Sequence, residues 1–288
     1  MPEFARQHRA EQLAATFPPL LVAAERVASA VVQGVHGRRR TGPGESFWQF
    51  RTYAPGDPTA AIDWRASAKG ARLYIREREW EAAQSVWLWR DGSASMAYRS
   101  AAGLPTKRER AELLLLALAA LLLRSGERVS LFDSGVPPGS GRAVLARLAL
   151  GLDAPSAGLP GFVSLPRYGQ AAFFGDFLAP PDAVAAAVGA LARQGVNGHL
   201  LQILDPAEET LPFTGRVRFE GLEGETSVLM SRAESVRDAY IAKLRAHRAA
   251  LRDLARGFGW SFANHRTDHP PQQALLGLYN SLAMPHGL

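Results

Sequence analysis

The chain has 288 residues, of which 47% are hydrophobic and 21% are charged, and it contains no cysteine. This is the balance of an ordinary globular protein with one large domain or two smaller ones. The absence of cysteine excludes disulfides, zinc–thiolate sites and thiol catalysis. The net charge of +6 favours a polyanion or membrane partner only weakly, because many arginines neighbour acidic residues, as in residues 76–81.

No stretch of the sequence predicts a membrane span or a secretory leader. The longest unbroken apolar run, residues 113–123, is shorter than the roughly 18 residues that a spanning helix needs, and it predicts a buried core helix instead. The N-terminal segment is amphipathic and lacks the basic-then-apolar order of a signal peptide. We therefore expect a cytoplasmic protein without membrane insertion.

The order of the predicted elements divides the chain into three parts. Residues 1–33 predict a helical segment, with a break at the paired prolines 18 and 19. Residues 34–84 are rich in glycine, proline and short aromatic runs, which predicts a β-rich elaboration packed on the main domain. From residue 85 onward, strand-like and helix-like segments alternate. Residues 85–288 are therefore predicted to form an α/β domain with a mostly parallel, Rossmann-like sheet flanked by helices.

Aspartates follow four of the predicted strands: Asp91, Asp133, Asp176 and Asp205. In an open parallel sheet, ligands bind outside the carboxyl ends of the strands, which is where these side chains are expected. An aspartate at the end of a strand also commonly caps the next helix or turn. For any one of the four, capping is therefore the simpler interpretation.

The stretch DGSAS after the first of these strands offers more than a cap. Asp91, Ser93 and Ser95 alternate along the chain, so an extended turn would place their oxygens on one side. One carboxylate and two hydroxyls form an all-oxygen set that suits Mg²⁺, which prefers octahedral oxygen coordination. Asp176, from a nearby parallel strand, would add a second carboxylate.

The motifs at these strand ends resemble those of a known domain family. DGSAS resembles the Asp-x-Ser-x-Ser motif of the metal-ion-dependent adhesion site in von Willebrand factor A domains, and FFGDF resembles the strand that ends in that site's third-loop aspartate. The upstream block RTYAPGDPTAAIDWRASAK is similar to a characteristic part of the bacterial family called domain of unknown function 58. Through LQILDPAEETLPFTGRVRFEGLEG and YNSLAMP, the resemblance extends over about residues 34–280.

The resemblance implies a von Willebrand factor A-like domain that acts as a non-enzymatic protein–protein interaction module. Family members resemble partners of MoxR-type AAA+ ATPases in chaperone-like or assembly roles. The expected contact surface is the Asp91 edge of the sheet, which would engage an acidic residue of the partner with or without Mg²⁺. We expect no nucleotide on this chain, because GPGESF lacks the lysine and the following helix of a phosphate-binding loop.

One ligand of the adhesion-site pattern is missing from the sequence. The pattern has a threonine in the loop after the second strand, whereas residues 133–144 contain none. Ser140 is the nearest hydroxyl that could stand in, and Asp133 is an alternative oxygen. Arg142 lies close by in sequence, and its guanidinium could displace a cation. The sequence therefore predicts the architecture of the site but leaves its metal occupancy open.

Two further clusters were considered as sites. Asp57 and Asp63, with Arg65, form a polar group that could contact a partner, although aspartates that cap a Pro-Gly turn explain the pattern more simply. His265 and His269 lack a third ligand for a metal ion.

Two other function classes compete with an interaction module. One is an Mg²⁺-dependent hydrolase in which Asp91 and Asp176 hold the metal against a phosphorylated substrate, although no general base accompanies them in the sequence. The other is a basic polyanion-binding protein that uses residues 37–40 and the arginines of residues 65–78, with an affinity that falls steeply with salt. Nucleic acid is not the expected partner, since local acids balance much of the basic charge.

Overall fold

The structure is a computed structural model, and it describes residues 19–36, 47–53, 62, 64–68, 72–78, 83–156, 158–224 and 226–283. The chain forms two compact units. The larger one comprises residues 1–34 and 84–288, and the smaller one comprises residues 35–83. The N-terminal helix, predicted as a segment of its own, is therefore part of the α/β unit.

The N-terminal helix α1 (Pro19–His36) joins the larger unit through an apolar face. Leu21, Ala24 and Ala28 on that face are buried. Glu25 forms an ion pair with Arg124, which lies at the end of a core helix. The amphipathic pattern that predicts the helix thus also explains why it belongs to this unit.

In the smaller unit, β1 (Phe47–Thr52) and β2 (Tyr74–Arg78) pair as antiparallel strands, and α2 (Trp64–Ser67) is a single turn between them. The backbone N–H of Tyr74 donates to the hydroxyl of Ser67 at 2.9 Å and connects the turn to the second strand.

The strands of the larger unit are β3 (Ser85–Arg90), β4 (Arg128–Leu131), β5 (Gln170–Gly175), β6 (Asn197–Leu204), β7 (Val217–Phe219), β8 (Val228–Met230) and β9 (Ser261–Arg266). Five of them form a sheet in the order β4-β3-β5-β6-β9, in which every neighbouring pair is parallel. The strands β7 and β8 form a separate antiparallel pair. The predicted α/β fold with a parallel sheet is confirmed.

The helices of this unit that follow are α3 (Lys107–Arg124), α4 (Arg142–Gly151), α5 (Pro181–Ala192), α6 (Pro206–Thr210), α7 (Arg237–Gly257) and α8 (Pro271–Ala283). The helix α3 contacts α4 and α8, whereas α5 contacts α7, so the helices form layers on the two faces of the sheet. In the described part of the chain, no helix combines the length and the apolar character needed to cross a bilayer.

Alternate residues of the central strands fill the core between the sheet and the α5–α7 layer. Trp89 of β3 and Phe173 of β5 are fully buried and meet edge to face, with ring centroids 5.6 Å apart. Burying a large aromatic side chain contributes roughly 1.5–3 kcal/mol. On the opposite face, the leucines of residues 113–122 make α3 the buried core helix that its sequence predicts.

The strand order places a crevice between β3 and β5. From β3 the chain passes to β4 on one side, and it then crosses back to β5 on the other side. The carboxyl ends of β3 and β5 therefore flank the point at which the direction of winding changes, which is where open α/β sheets bind their ligands. Asp91 follows β3 and Asp176 follows β5, so both lie at this point.

Candidate functional site

Asp91 and Asp176 lie side by side at the carboxyl edge of the sheet. The backbone N–H of Asp91 donates to the carbonyl of Phe174 at 2.8 Å, which continues the pairing of β3 with β5. A Cβ atom at Gly175 would lie only 2.8 Å from the Cβ of Asp91. Glycine at this position therefore lets the Asp91 side chain lie against β5. Both carboxylates are almost completely buried.

A chain of short hydrogen bonds connects the four predicted residues of the Asp91 edge. The backbone N–H of Ser93 donates to Asp91 Oδ1 at 2.8 Å. The hydroxyls of Ser93 and Ser95 are 3.0 Å apart, and Ser95 Oγ donates to Asp176 Oδ2 at 2.6 Å. The structure thus brings Asp91, Ser93, Ser95 and Asp176 together, in a turn that continues as a short 3₁₀ helix over Ala94–Ala97.

Ser140, predicted as the stand-in for the missing threonine, does not reach this edge. The loop after β4 folds back along that strand, and Gly139 exchanges two backbone hydrogen bonds with Val129, at 2.8 and 3.1 Å. Val129 in turn pairs with Val86, near the start of β3. Ser140 therefore lies towards the end of the sheet opposite Asp91, and the choice of this residue as a ligand has to be corrected.

Asp133, the alternative oxygen, follows β4 but takes no part in the hydrogen-bonded chain around Asp91. Its carboxylate is exposed, and it accepts a long hydrogen bond of 3.4 Å from Ser156. Burial of part of the group raises its pKa. Asp133 lines a separate, smaller cavity with residues of the loop after α4.

The sequence did not reveal Lys107. This lysine is the cation of a charged cluster that also contains Asp91, Asp176 and Glu208. This residue begins α3 and has no exposed surface. Its Nζ donates to Asp176 Oδ2 at 2.8 Å and to Glu208 Oε1 at 2.6 Å. A positive charge in the first turn of a helix is unfavourable next to the positive end of the helix macrodipole. This is the local signal in the sequence that Lys107 has a compensating interaction elsewhere in the fold.

Glu208 joins the cluster from α6. Its second oxygen accepts from the backbone N–H of Asp205 at 2.8 Å, as part of a capping box that starts the helix. The capping box can be recognised in the sequence DPAEE. The contact of Glu208 with Lys107 joins residues 101 positions apart and leaves no local signal.

The charges of the cluster depend on burial and on one another. Burial, and then the neighbouring charge of Asp176, raises the pKa of Asp91 to about 6. Burial alone would lower the pKa of Lys107, but its ion pairs with Asp176 and Glu208 raise it above the ordinary value. Lys107 is therefore a charged ammonium at neutral pH, and most of the Asp91 carboxyl is ionised there.

The cluster lies at the bottom of a cleft of about 790 Å³. Its polar floor is formed by Asp91, Ser93, Ser95, Asp176 and Glu208. Its walls are largely apolar and include Leu159, Phe177, Leu211, Phe213, Phe219 and Leu222, with Glu220, Glu223 and the hydroxyls of two tyrosines beside them. Among the described residues that line the cleft, none carries a positive charge.

The loop that carries Asp176 is held rigidly. Asp176 Oδ1 accepts from the backbone N–H of Leu178 at 3.1 Å, and the Asp176 carbonyl accepts from the side chain of Gln202 at 2.8 Å. Phe177 has a φ of 48°, which is uncommon for a bulky residue, and its side chain is buried in the core. Such strain persists only where the surroundings impose it, as they do at binding sites.

Of the other two predicted clusters, the structure describes only the histidine pair in full. Asp57 and Asp63 lie outside the described residues, and Arg65 is exposed on α2. His265 is buried against Arg110, 3.2 Å from its guanidinium, whereas His269 is exposed. Burial, and then the charge of Arg110, lowers the pKa of His265 to about 4, so this imidazole is neutral at physiological pH.

Fold and cleft together define an α/β domain with an acidic cleft at the switch point of a parallel sheet. A family model described as "Protein of unknown function DUF58" matches residues 49–250, and the chain belongs to this family. An uncharacterized protein of Mycobacterium tuberculosis and one of Mycobacterium bovis are each 28% identical to it over 276 residues, which cover 89% of this chain and 86% of each relative.

Solved structures with a similar course of the chain are more distant. An aerotolerance-related membrane protein from Bacteroides fragilis matches 69% of this chain and 98% of its own, with 13% identity and a TM-score of 0.39. The conserved hypothetical protein BatB from Bacteroides thetaiotaomicron matches 70% and 99%, with 13% identity and a TM-score of 0.34.

Proposed function

We propose that this chain is a non-enzymatic, von Willebrand factor A-like interaction module that binds a protein partner at the Asp91 edge. The observation that carries the proposal is the cleft at the switch point, where a buried polar floor lies below apolar walls. Apolar area provides most of the free energy of association, and a few placed polar groups provide specificity. The rigid Asp176 loop would present this surface without a cost in ordering it.

The proposed partner is a MoxR-type AAA+ ATPase, in a chaperone-like or assembly role. The resemblance of the sequence to its family is the support for this choice. The cytoplasm is the proposed location, in keeping with a chain that has no cysteine.

The charge of the cleft bears on the choice between an interaction module and a hydrolase. A phosphorylated substrate would meet carboxylates on the floor and walls, without an exposed cation among the described lining residues. Phosphate recognition normally uses arginine, lysine or helix N-termini that point at the ligand. We therefore favour an interaction module over a hydrolase.

Co-purification tests the proposal. The tagged chain is expressed with the MoxR-type ATPase of the same genome, and the retained ATPase is quantified for the wild type and for Leu222→Asp, which places a charge on an exposed apolar wall of the cleft. Leu150→Asp is the matched control, because Leu150 is exposed on α4 away from the cleft. The expected result is retention by the wild type and the control, and loss with Leu222→Asp. Equal retention by all three would refute the proposed surface.

A further inference from the structure

The Asp91 edge has the oxygens of an adhesion-site metal centre, but those oxygens are already bonded within the protein. Both oxygens of Asp176 accept hydrogen bonds: Oδ1 from Leu178, and Oδ2 from Ser95 and Lys107. The two serine hydroxyls bond to each other, and Asp91 Oδ1 accepts from Ser93. Asp176 Oδ2 accepts from both Ser95 and Lys107, so this oxygen has no lone pair left for a cation.

The residue that opposes a metal most strongly is Lys107. Its ammonium lies 2.8 Å from Asp176 Oδ2, within the distance of a charge-assisted hydrogen bond. A divalent cation bound to Asp176 would be only a few ångströms from this buried positive charge, in surroundings that screen the repulsion poorly. Ser140, the hydroxyl predicted to complete the ligand set, also lies away from this edge. The residues present do not fit a resident Mg²⁺.

We propose that the Lys107 ammonium takes the place of the divalent cation at the Asp91 edge, so that the edge binds a basic group of its partner without metal. The replacement of a metal by Lys107 is a property of the isolated chain. The binding of a basic partner group rests on the proposed function. The position of Lys107 supports this proposal. The residue has no exposed surface, and its ammonium forms ion pairs with the carboxylates of Asp176 and Glu208.

The sign of the partner group follows from the charges around the cleft. One ammonium faces three carboxylates on the floor, those of Asp91, Asp176 and Glu208, so the floor has an excess of negative charge. Glu220 on the wall adds to it. An adhesion site accepts an acidic residue because its metal provides a surplus of positive charge, whereas the described residues that line this cleft provide none. A lysine or arginine flanked by apolar residues is the complementary partner segment.

Metal titration of the isolated chain tests the replacement of a metal by Lys107. Mg²⁺ and Mn²⁺ are added to millimolar concentration while heat and thermal stability are recorded for the wild type, for Asp91→Asn and for Lys107→Met. We expect no heat and no stabilisation with the wild type. In Lys107→Met, removal of the ammonium leaves carboxylates that a metal can neutralise, so stabilisation by Mg²⁺ should appear. Stoichiometric heat with the wild type that Asp91→Asn abolishes would overturn the inference, even if Lys107→Met fails to fold.

Charge reversal on the cleft wall tests the binding of a basic partner group. Glu220→Lys should weaken binding of the MoxR-type ATPase at least several-fold if the partner presents a basic group, and should strengthen it if the group is acidic. Asp253→Lys is the control, since it makes the same charge change on the exposed surface of α7. Strengthened binding would refute the basic partner group while leaving the proposed function in place. Absence of binding by the wild type would refute the proposed function, and the metal titration would still decide the role of Lys107.

Discussion

Asp91 and Asp205 each follow a buried parallel strand and lie at the same edge of the sheet, yet their surroundings differ. Asp205 is fully buried and accepts from the backbone N–H groups of Ala207 at 2.8 Å and of Ser100 at 2.9 Å. Asp91 accepts from one backbone N–H and faces a second carboxylate at the floor of a cleft. Asp205 therefore caps the start of a helix. The ionised form of Asp91, by contrast, is destabilised by burial and by the charge of Asp176.

The partners of a carboxylate, more than its place after a strand, distinguish an aspartate that caps a helix from one at the floor of a cleft. Burial raises the pKa of Asp91 to about 6, which means that its ionised form is unfavourable in the fold. Perturbed groups in clefts are typical of functional sites. Lys107 connects the surroundings of Asp91 and Asp205. Its ammonium pairs with Asp176, which lies beside Asp91, and with Glu208, which forms the capping box with Asp205.

The largest expected effect comes from removing this connection. Lys107→Met leaves Asp176 and Glu208 without their buried counter-ion, which should lower the free energy of unfolding by about 3–5 kcal/mol. Urea denaturation measures the loss. Lys243→Met on the exposed side of α7 is the matched control and should change stability by less than about 0.5 kcal/mol. A loss for Lys107→Met as small as the control's would show that the cluster does not stabilise the fold.

Removing the structural aspartate should cause the next largest loss of stability. Asp205→Ala deprives two backbone N–H groups of their acceptors and removes a helix cap, which should cost about 2 kcal/mol in urea denaturation. Asp205→Asn keeps one side-chain oxygen and should cost less than Asp205→Ala. Equal losses in the two variants would argue against a capping role.

Asp91, at the proposed binding edge, should respond in the opposite direction. Asp91 has a pKa of about 6 in the fold against an ordinary 3.8, so the folded chain holds this proton more tightly and loses stability from this group as the pH rises from about 4 to 6. Asp91→Asn should therefore come close to the wild type near pH 4 and exceed its stability at pH 7 by up to about 3 kcal/mol. Denaturation curves across this range measure the difference. A variant that is less stable than the wild type at pH 7 would place Asp91 with Asp205 as a structural residue.

The smallest change in stability and binding is expected for Ser140, which was predicted to lie at the Asp91 edge. Ser140 is exposed beside the bridge of Gly139 with Val129. Ser140→Ala should leave stability within about 0.5 kcal/mol of the wild type and should not change binding of the ATPase. Weakened binding would mean that this loop takes part in the site after all.

The sequence was sufficient to predict the convergence of Asp91, Ser93, Ser95 and Asp176. The carboxyl ends of parallel strands share one edge, and the alternation of elements already indicated a parallel sheet. The buried helix α3 was equally accessible, because eleven consecutive apolar residues, 113–123, allow no solvent-facing side. These features depend on local pattern and on one general rule of topology.

The sequence was insufficient where the structure depends on contacts between distant residues. The pairs of Lys107 with Asp176 and Glu208 span 69 and 101 positions. Ser140 was placed at the site by its distance along the chain, whereas the backbone pairing of Gly139 with Val129 folds its loop back along β4. Neither the ion pairs of Lys107 nor the fold of the Ser140 loop can be predicted from hydrophobic periodicity or from the spacing of motifs.

Whether the Asp91 edge binds a protein partner can be measured with purified proteins. Titration calorimetry in one buffer gives the affinity of the wild type and of Asp91→Asn for the purified MoxR-type ATPase. We expect the wild type to bind, and Asp91→Asn to bind at least tenfold more weakly while it is at least as stable. Equal affinity of the two proteins, or no binding by the wild type, would refute a binding surface at this edge.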